Sequence, residues 1–357
     1  MRFFQRLFDR KRDPQTSEAA LKLAYHPPNN KYKIVHQALI LPNLATPLRY
    51  FNFYSLMGQP SLPIFQNQQL NREQVLDCVT VMSSVSPHMQ HHLHTYSLQQ
   101  ECHLQQGNFD FSQREILSGD FPIFELKRDD DELSCDLKIF TTQYMSYFKK
   151  MQLGLFEHWS VLVKCEGHLK YQNKIYDISS LGSFEYARSV DLPALPIAYM
   201  VYMVMNISGD RQLLCMQLRD LFNRVVQSKM YLRDLVQNES LSFEQNVYFK
   251  VHRVFPQVTN SYGRTMYLPR EFEWQYQDKD LNIEISGNCI GDYKFGYGAG
   301  YVGSFDFNLK INGVLENGAG GYVQYVDCRN LKFQELDDLN KNPKYFAEVA
   351  VLIRKKH

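Results

Sequence analysis

Residues 304–311, SFDFNLKI, set Phe305, Phe307, Leu309 and Ile311 against Ser304, Asp306, Asn308 and Lys310. An apolar–polar period of two marks a half-buried strand and leaves no helical face. Asn312-Gly313 follows, the strongest two-residue hairpin signal, and another strand-like run ends at Tyr325. This pattern decides what the glycines just upstream can mean. Gly298, Gly300 and Gly303 match the GxGxxG spacing that holds a dinucleotide pyrophosphate. That site needs an apolar strand before the glycines and a helix after them, whose first amides bind the phosphates. Here GDYKFGY precedes and a strand follows, and too little chain remains for a doubly wound sheet. The glycines belong to antiparallel β-structure, and no NAD-type cofactor is expected.

A chain of 357 residues suggests two domains. Its net charge of +1 gives no electrostatic footprint for nucleic acid. Heavy use of tyrosine (23) and phenylalanine (24) suits sheets and an apolar-walled pocket. The seven cysteines are scattered and never in CxxC spacing, which argues against a disulfide framework and against a zinc site. MRFFQRLFDRKRDP lacks the continuous apolar core of a secretory leader, so the chain reads as cytoplasmic. The apolar run Leu192 to Ile207 is short for a membrane span and holds Pro193 and Pro196, which favours a buried strand. At the N-terminus, Phe3, Phe4, Leu7 and Phe8 alternate with Arg2, Arg6, Arg10, Lys11 and Arg12. As a helix, this segment would have an aromatic and a basic face and could touch the inner membrane surface transiently; a frayed tail or a docking helix is the plainer alternative.

The chain also resembles itself. FELKRDDDELSCDLKI from Phe124 parallels FEWQYQDKDLNIEIS from Phe272, with Glu125 and Leu133 answering Glu273 and Leu281. LKYQNKIYDISSLGSFEY from Leu169 parallels LKINGVLENGAGGYVQY from Leu309, with Gly182 answering Gly321. The matches keep their order at offsets of 148, 140 and 139 residues. Collinear repeats of hairpins imply two tandem all-β domains, residues 30–188 and 189–357, after an N-terminal segment 1–29. Further strands are legible at Lys33–Leu41, Leu48–Met57, Val75–Val81, His92–Leu98, Trp159–Cys165, Ala198–Asn206, Leu213–Arg219 and Val247–Phe255. Many short antiparallel strands imply a sandwich or barrel.

These hairpins carry a resemblance. A strand from Trp159, Gly167, a turn, a strand through Tyr176, then Gly182 and an acidic residue resembles the first-domain signature of the tandem-lipocalin family. That family includes AttH-like proteins, carotenoid 1,2-hydratases, tocopherol cyclases and fungal Diels–Alderases. LLCMQLR from Leu213 and the ending GGYVQYVD resemble its second-domain strands, so the likeness spans residues 120–330. It implies two antiparallel lipocalin-like (calycin) barrels packed together, with an apolar ligand inside one barrel or near the junction. Hydratase-like members carry an Asp-His pair shortly after the glycine, where this chain has Phe184, Glu185, Tyr186, Ala187 and Arg188. No histidine accompanies Glu185 in the sequence.

Glu185 and Arg188, three apart, would make a buried pair if both faced inward, either holding a polar head group or closing the domain junction as a structural salt bridge. Gln324 takes the repeat position of Glu185 and cannot be an acid. Trp159, Trp274 and Tyr176 flank the matched hairpins as ligand walls or simply as core. His158 stands beside Trp159. His88, His91, His92, His94 and His103 form the densest histidine cluster, but its glutamine-rich surroundings read as a solvated loop and no metal is expected. No GxSxG, HExxH or P-loop spacing appears. The favoured function is a carrier of a hydrophobic molecule, a lipid or isoprenoid. The alternative is a cofactor-independent isomerase, cyclase or hydratase of a polyene with Glu185 as acid, and a third reading is a scaffold with filled barrels.

Overall fold

In the computed structural model, the hairpin at the repeat's end forms as expected. Strand Gly300–Ile311 pairs with Val314–Glu316 across Asn312 and Gly313, both left-handed at φ 51° and 79°. Gly303 lies inside that strand. The structure describes residues 11–12, 23–65, 72–151, 154–191, 195–316, 318 and 320–329. Their architecture is all-β, with two large antiparallel sheets of lipocalin-like topology.

The first sheet holds eleven strands, between Ile34 and Ser189. Sequence neighbours pair on either side of one break, between Leu93–Ser97 and Cys102–Gln105, and the last strand, Lys174–Ser189, returns to the first, Ile34–Pro42. Its two free edges, Leu93–Ser97 and Cys102–Gln105, are consecutive in the chain, so the curled sheet is a barrel whose ladder is open at one seam. The second sheet repeats the plan. Gly320–Asp327 closes back on Ile197–Asn206, and the seam falls between Glu239–Phe243 and Val247–Val254. The matched segments occupy matching places. Phe124 lies in Ile123–Arg128 and Phe272 in Pro269–Gln277, and both rings are buried. Gly182 and Gly321 lie in the two closing strands.

Some expectations need correction. Val75 to Asp77 belong to a short helix, Arg72–Asp77, and the strand begins only at Cys78. The strand Leu133–Lys150 is far longer than its apolar pattern suggests, because a bulge between Thr141 and Met145 breaks the alternation. Lys11–Arg12 is extended and pairs with Glu239–Phe243, so no helix runs through it. Phe3, Phe4, Leu7 and Phe8 lie outside the described residues, as do Leu192 and Pro193. Among the described residues no helix is long and apolar enough to cross a membrane.

Strand alternation sorts most buried apolar side chains of the described residues into three large cores. Trp159, Phe184 and Tyr186 point into the first barrel, where Tyr25 and Phe124 join them. Trp274, Phe249 and Phe272 fill the second. The opposite faces of the closing strands meet in a third cluster, which includes Tyr54, Phe148, Tyr202, Tyr231, Tyr297 and Tyr322. Each such ring contributes about 1.5–3 kcal/mol by burial, so the sheets dock firmly. Arg233, fully buried on the second sheet, reaches into the first and donates to Ser146 Oγ at 3.1 Å and the Ser160 carbonyl at 3.2 Å.

Candidate functional site

Glu185 sits in the strand Lys174–Ser189, with Ser160 and Ala38 as its cross-strand partners. Because side chains alternate, Phe184 and Tyr186 enter the barrel while Glu185 faces the second sheet. It is 3% exposed. Oε1 accepts from the Tyr202 hydroxyl of the second sheet and from Ser183 Oγ at 3.3 Å. Oε2 lies 3.3 Å from His158 Nε2. Ser160 and Ser183 share a further hydrogen bond of 2.6 Å. Burial pushes the Glu185 carboxyl up, but the donors His158 and Tyr202 outweigh it and hold the group below its ordinary value. Glu185 is therefore a carboxylate, and His158 donates Nε2–H to it.

His36 completes the group. Its Nδ1 donates to the Ser55 carbonyl at 3.0 Å, so Nε2 carries the lone pair. Burial, followed by the neighbouring His158, lowers its pKa to about 4, and the ring is neutral. Burial and the facing Glu185 raise the Tyr202 hydroxyl well above its usual value, so it remains a donor. Phe148 stands edge-on to His158 at 4.6 Å, and Tyr54 packs on His36 at 4.7 Å. His36, His158 and Glu185 place one ligand atom each within 4.8 Å of one another. A divalent transition ion could replace the shared proton there, with the Ser55 carbonyl orienting His36.

This overturns three expectations. Glu185 does have histidine neighbours, brought by adjacent strands rather than by adjacent sequence. It is held ionised, so it is not the acid of the cluster. Arg188 does not pair with it: three residues apart on a strand means opposite faces, and Arg188 instead binds Glu157 at 2.8 Å and covers the Tyr32 ring at 4.3 Å.

The other sequence-selected residues are dispersed. Trp159 and Trp274 lie fully buried in separate barrel cores, not at a shared mouth. Tyr176 is half-buried against the first core under Lys174. Gln324 does face the junction, opposite Tyr202 across the ladder, and donates to the Tyr322 hydroxyl at 3.3 Å. The histidine cluster is not a solvated loop. His88 is 1% exposed, and burial, then the Arg128 charge, lowers its pKa to about 3. His92 binds the Phe295 carbonyl at 2.7 Å, while His91 and His103 are exposed. Two clefts of about 330 and 360 Å³ share Asn43, and neither is lined by Glu185.

The comparisons with known proteins agree on the fold. A putative AttH from Nitrosomonas europaea is similar at TM-score 0.60 and 11% identity, over 83% of this chain and 93% of that one. Kievitone hydratase from Nectria haematococca is similar at TM-score 0.57 and 13% identity, over 90% and 98%. CghA is similar at TM-score 0.51 and 8% identity, over 90% and 99%. At these identities the likeness is one of fold alone. It is the tandem-lipocalin fold that the hairpins resemble. No curated protein matches the chain. The model of one family, described as a family of unknown function, matches residues 54–340. The chain belongs to that family, DUF6670.

Proposed function

We propose that the chain is an enzyme that binds an apolar, unsaturated small molecule at the junction of its two sheets and moves a proton to or from it. The observation that carries this reading is the buried Glu185 carboxylate, held between Tyr202 of one sheet and His158 of the other. Four features support a proton-transfer role. The carboxylate is fixed by three donors and orients the imidazole. The His158 side chain is 19% exposed, whereas the Glu185 carboxylate is buried behind it. Phe148, Tyr54 and Tyr297 give the surroundings an apolar character suited to a hydrocarbon. Isomerisation, cyclisation and hydration of an alkene share this elementary step, and one protein of the same fold is named a hydratase.

The carrier reading differs only in lacking turnover, so one preparation tests both. Small molecules that co-purify are identified by mass spectrometry, the metal content is measured, and the isolated compound and a panel of polyenes are incubated with the protein. Turnover by the unaltered chain should fall by about 100-fold or more in His158→Gln and Glu185→Gln. Retained ligand with no conversion would make the chain a carrier. A stoichiometric transition metal lost in Glu185→Gln would reassign the three side chains to coordination.

A further inference from the structure

The turn joining Arg211–Asp220 to Val225–Asp234 reads Leu-Phe-Asn-Arg and carries its apolar side chains outward. Phe222 is 73% exposed, Val226 56%, Val225 52% and Leu221 37%. Leu195, 39% exposed, is adjacent, because the neighbouring Pro196 carbonyl accepts the Leu221 amide at 3.0 Å. Most other exposed large apolar side chains of the described residues are scattered singly, which is ordinary for a protein surface; the exception is a pair, Val314 and Leu315, at another hairpin. Five together, four of them at one turn, are not.

The turn is also held by hydrogen bonds. The Asp220 carboxylate accepts the amides of Phe222 and Arg224, each at 2.9 Å, and Arg224 Nε at 2.7 Å. Asn223, left-handed at φ 67°, accepts at Oδ1 from Arg219 Nη1 at 2.9 Å and from Arg329 Nη1. Of the three guanidiniums beside the tip, Arg224 is exposed although it pairs with Asp220, whereas Arg329 is held on Asp327 and packs with Arg219 over the Tyr199 ring. Arg224 lies over the Phe222 ring at 5.3 Å.

The place of the turn relative to the site matters most. Gln227, one residue beyond Val226, donates to the Phe148 carbonyl at 2.9 Å. The Phe148 ring is the one that stands on His158. The strand that leaves the apolar tip is thus bonded to the residue whose ring stands on His158.

We propose that this tip is a docking element for a lipid bilayer, inserting Phe222, Val225 and Val226 below the headgroups while the exposed Arg224 meets lipid phosphates. A hydrogen-bonded apolar turn with an exposed arginine fits the interfacial zone, where apolar area and basic charge add. Docking there would bring the strand bonded to Phe148 to the lipid, the phase in which an apolar small molecule is concentrated.

Phosphatidylcholine vesicles, with and without phosphatidylserine, test this without any substrate, so the outcome is separate from that of the proton-transfer reading. The protein should co-sediment with both and more strongly with phosphatidylserine. Phe222→Ser combined with Val226→Ser should weaken binding by about tenfold or more while leaving the melting curve unchanged. A second variant, Phe222→Trp, reports on insertion directly, because the two native tryptophans, Trp159 and Trp274, are fully buried. Its emission should shift to the blue on adding vesicles. Absence of sedimentation, an unchanged double variant, or a tip tryptophan that stays water-exposed would overturn the proposal. So would a concentration-dependent dimer that the double variant abolishes, which would give the surface to a second copy of the chain.

Discussion

At the scale of single residues, two buried charges are treated in opposite ways. Glu185 remains ionised because three donors converge on it. Lys294, 3% exposed, donates to the carbonyls of Val85 and Ser86 at 2.6 and 2.9 Å, and burial lowers its pKa to about 7 against the opposing pull of Asp292. The unfolded chain holds that proton up to about pH 10.4, so between the two values it binds more protons than the folded chain. Stability should accordingly rise as the pH climbs from about 7 towards 9, and be lowest on this account below 7. Urea midpoints measured across that range should show the slope in the unaltered chain and lose it in Lys294→Met. A slope that persists in the variant would assign it to other groups. The environment of Lys294 was not legible in the sequence. A lysine in GDYKFGY looks solvent-facing, and its burial arises from the first sheet packing over it.

At the scale of elements, the repeated glycines have a shared cause. A Cβ on Gly182 would stand 2.5 Å from Leu41 Cδ2 and 2.9 Å from the Ile40 carbonyl oxygen. One on Gly321 would stand 2.3 Å from the Phe305 ring. Each closing strand thus needs a gap where its neighbour leans across. Gly182→Ala should destabilise by about 1–3 kcal/mol through this overpacking. Gly313→Ala, where nothing lies within 4 Å, should cost only the left-handed backbone strain, about 1 kcal/mol. Equal losses in calorimetry would show that crowding is not what fixes Gly182. Hairpins of this kind were the most legible part of the fold, since period-two alternation and turn residues are local signals. The site was partly legible by the same logic. Counting outward from the two-residue turn Gln172-Asn173 brings Glu185 opposite Ser160 and places His158 on the same face two residues on. Reading Glu185 beside Arg188 in sequence, rather than across the ladder, concealed this.

At the scale of the whole molecule, what could not be read was the docking of one sheet on the other. Tyr202, Phe148 and Arg233 stand in strands whose alternation says only that one face is buried, not against what. Arg233 ties both sheets through Ser146 and Ser160. Arg233→Ala leaves those groups unmet and opens a cavity, which should lower stability by about 2–4 kcal/mol. If the junction couples the sheets, the unaltered chain should melt in one calorimetric transition and the variant in two. Two transitions in the unaltered chain would show that they fold independently.

The hydroxyl of Tyr202 and the carboxylate of Glu185 come from different copies of one repeated plan. Where the first copy has glutamate the second has glutamine, and the second copy's tyrosine stands where the first has Ala38. The copies have become complementary and are no longer interchangeable. Neither could be discarded, or traded for a duplicate of the other, without dismantling the hydrogen-bonded group around Glu185. A chain whose architecture is twofold has thus acquired a centre that is strictly singular.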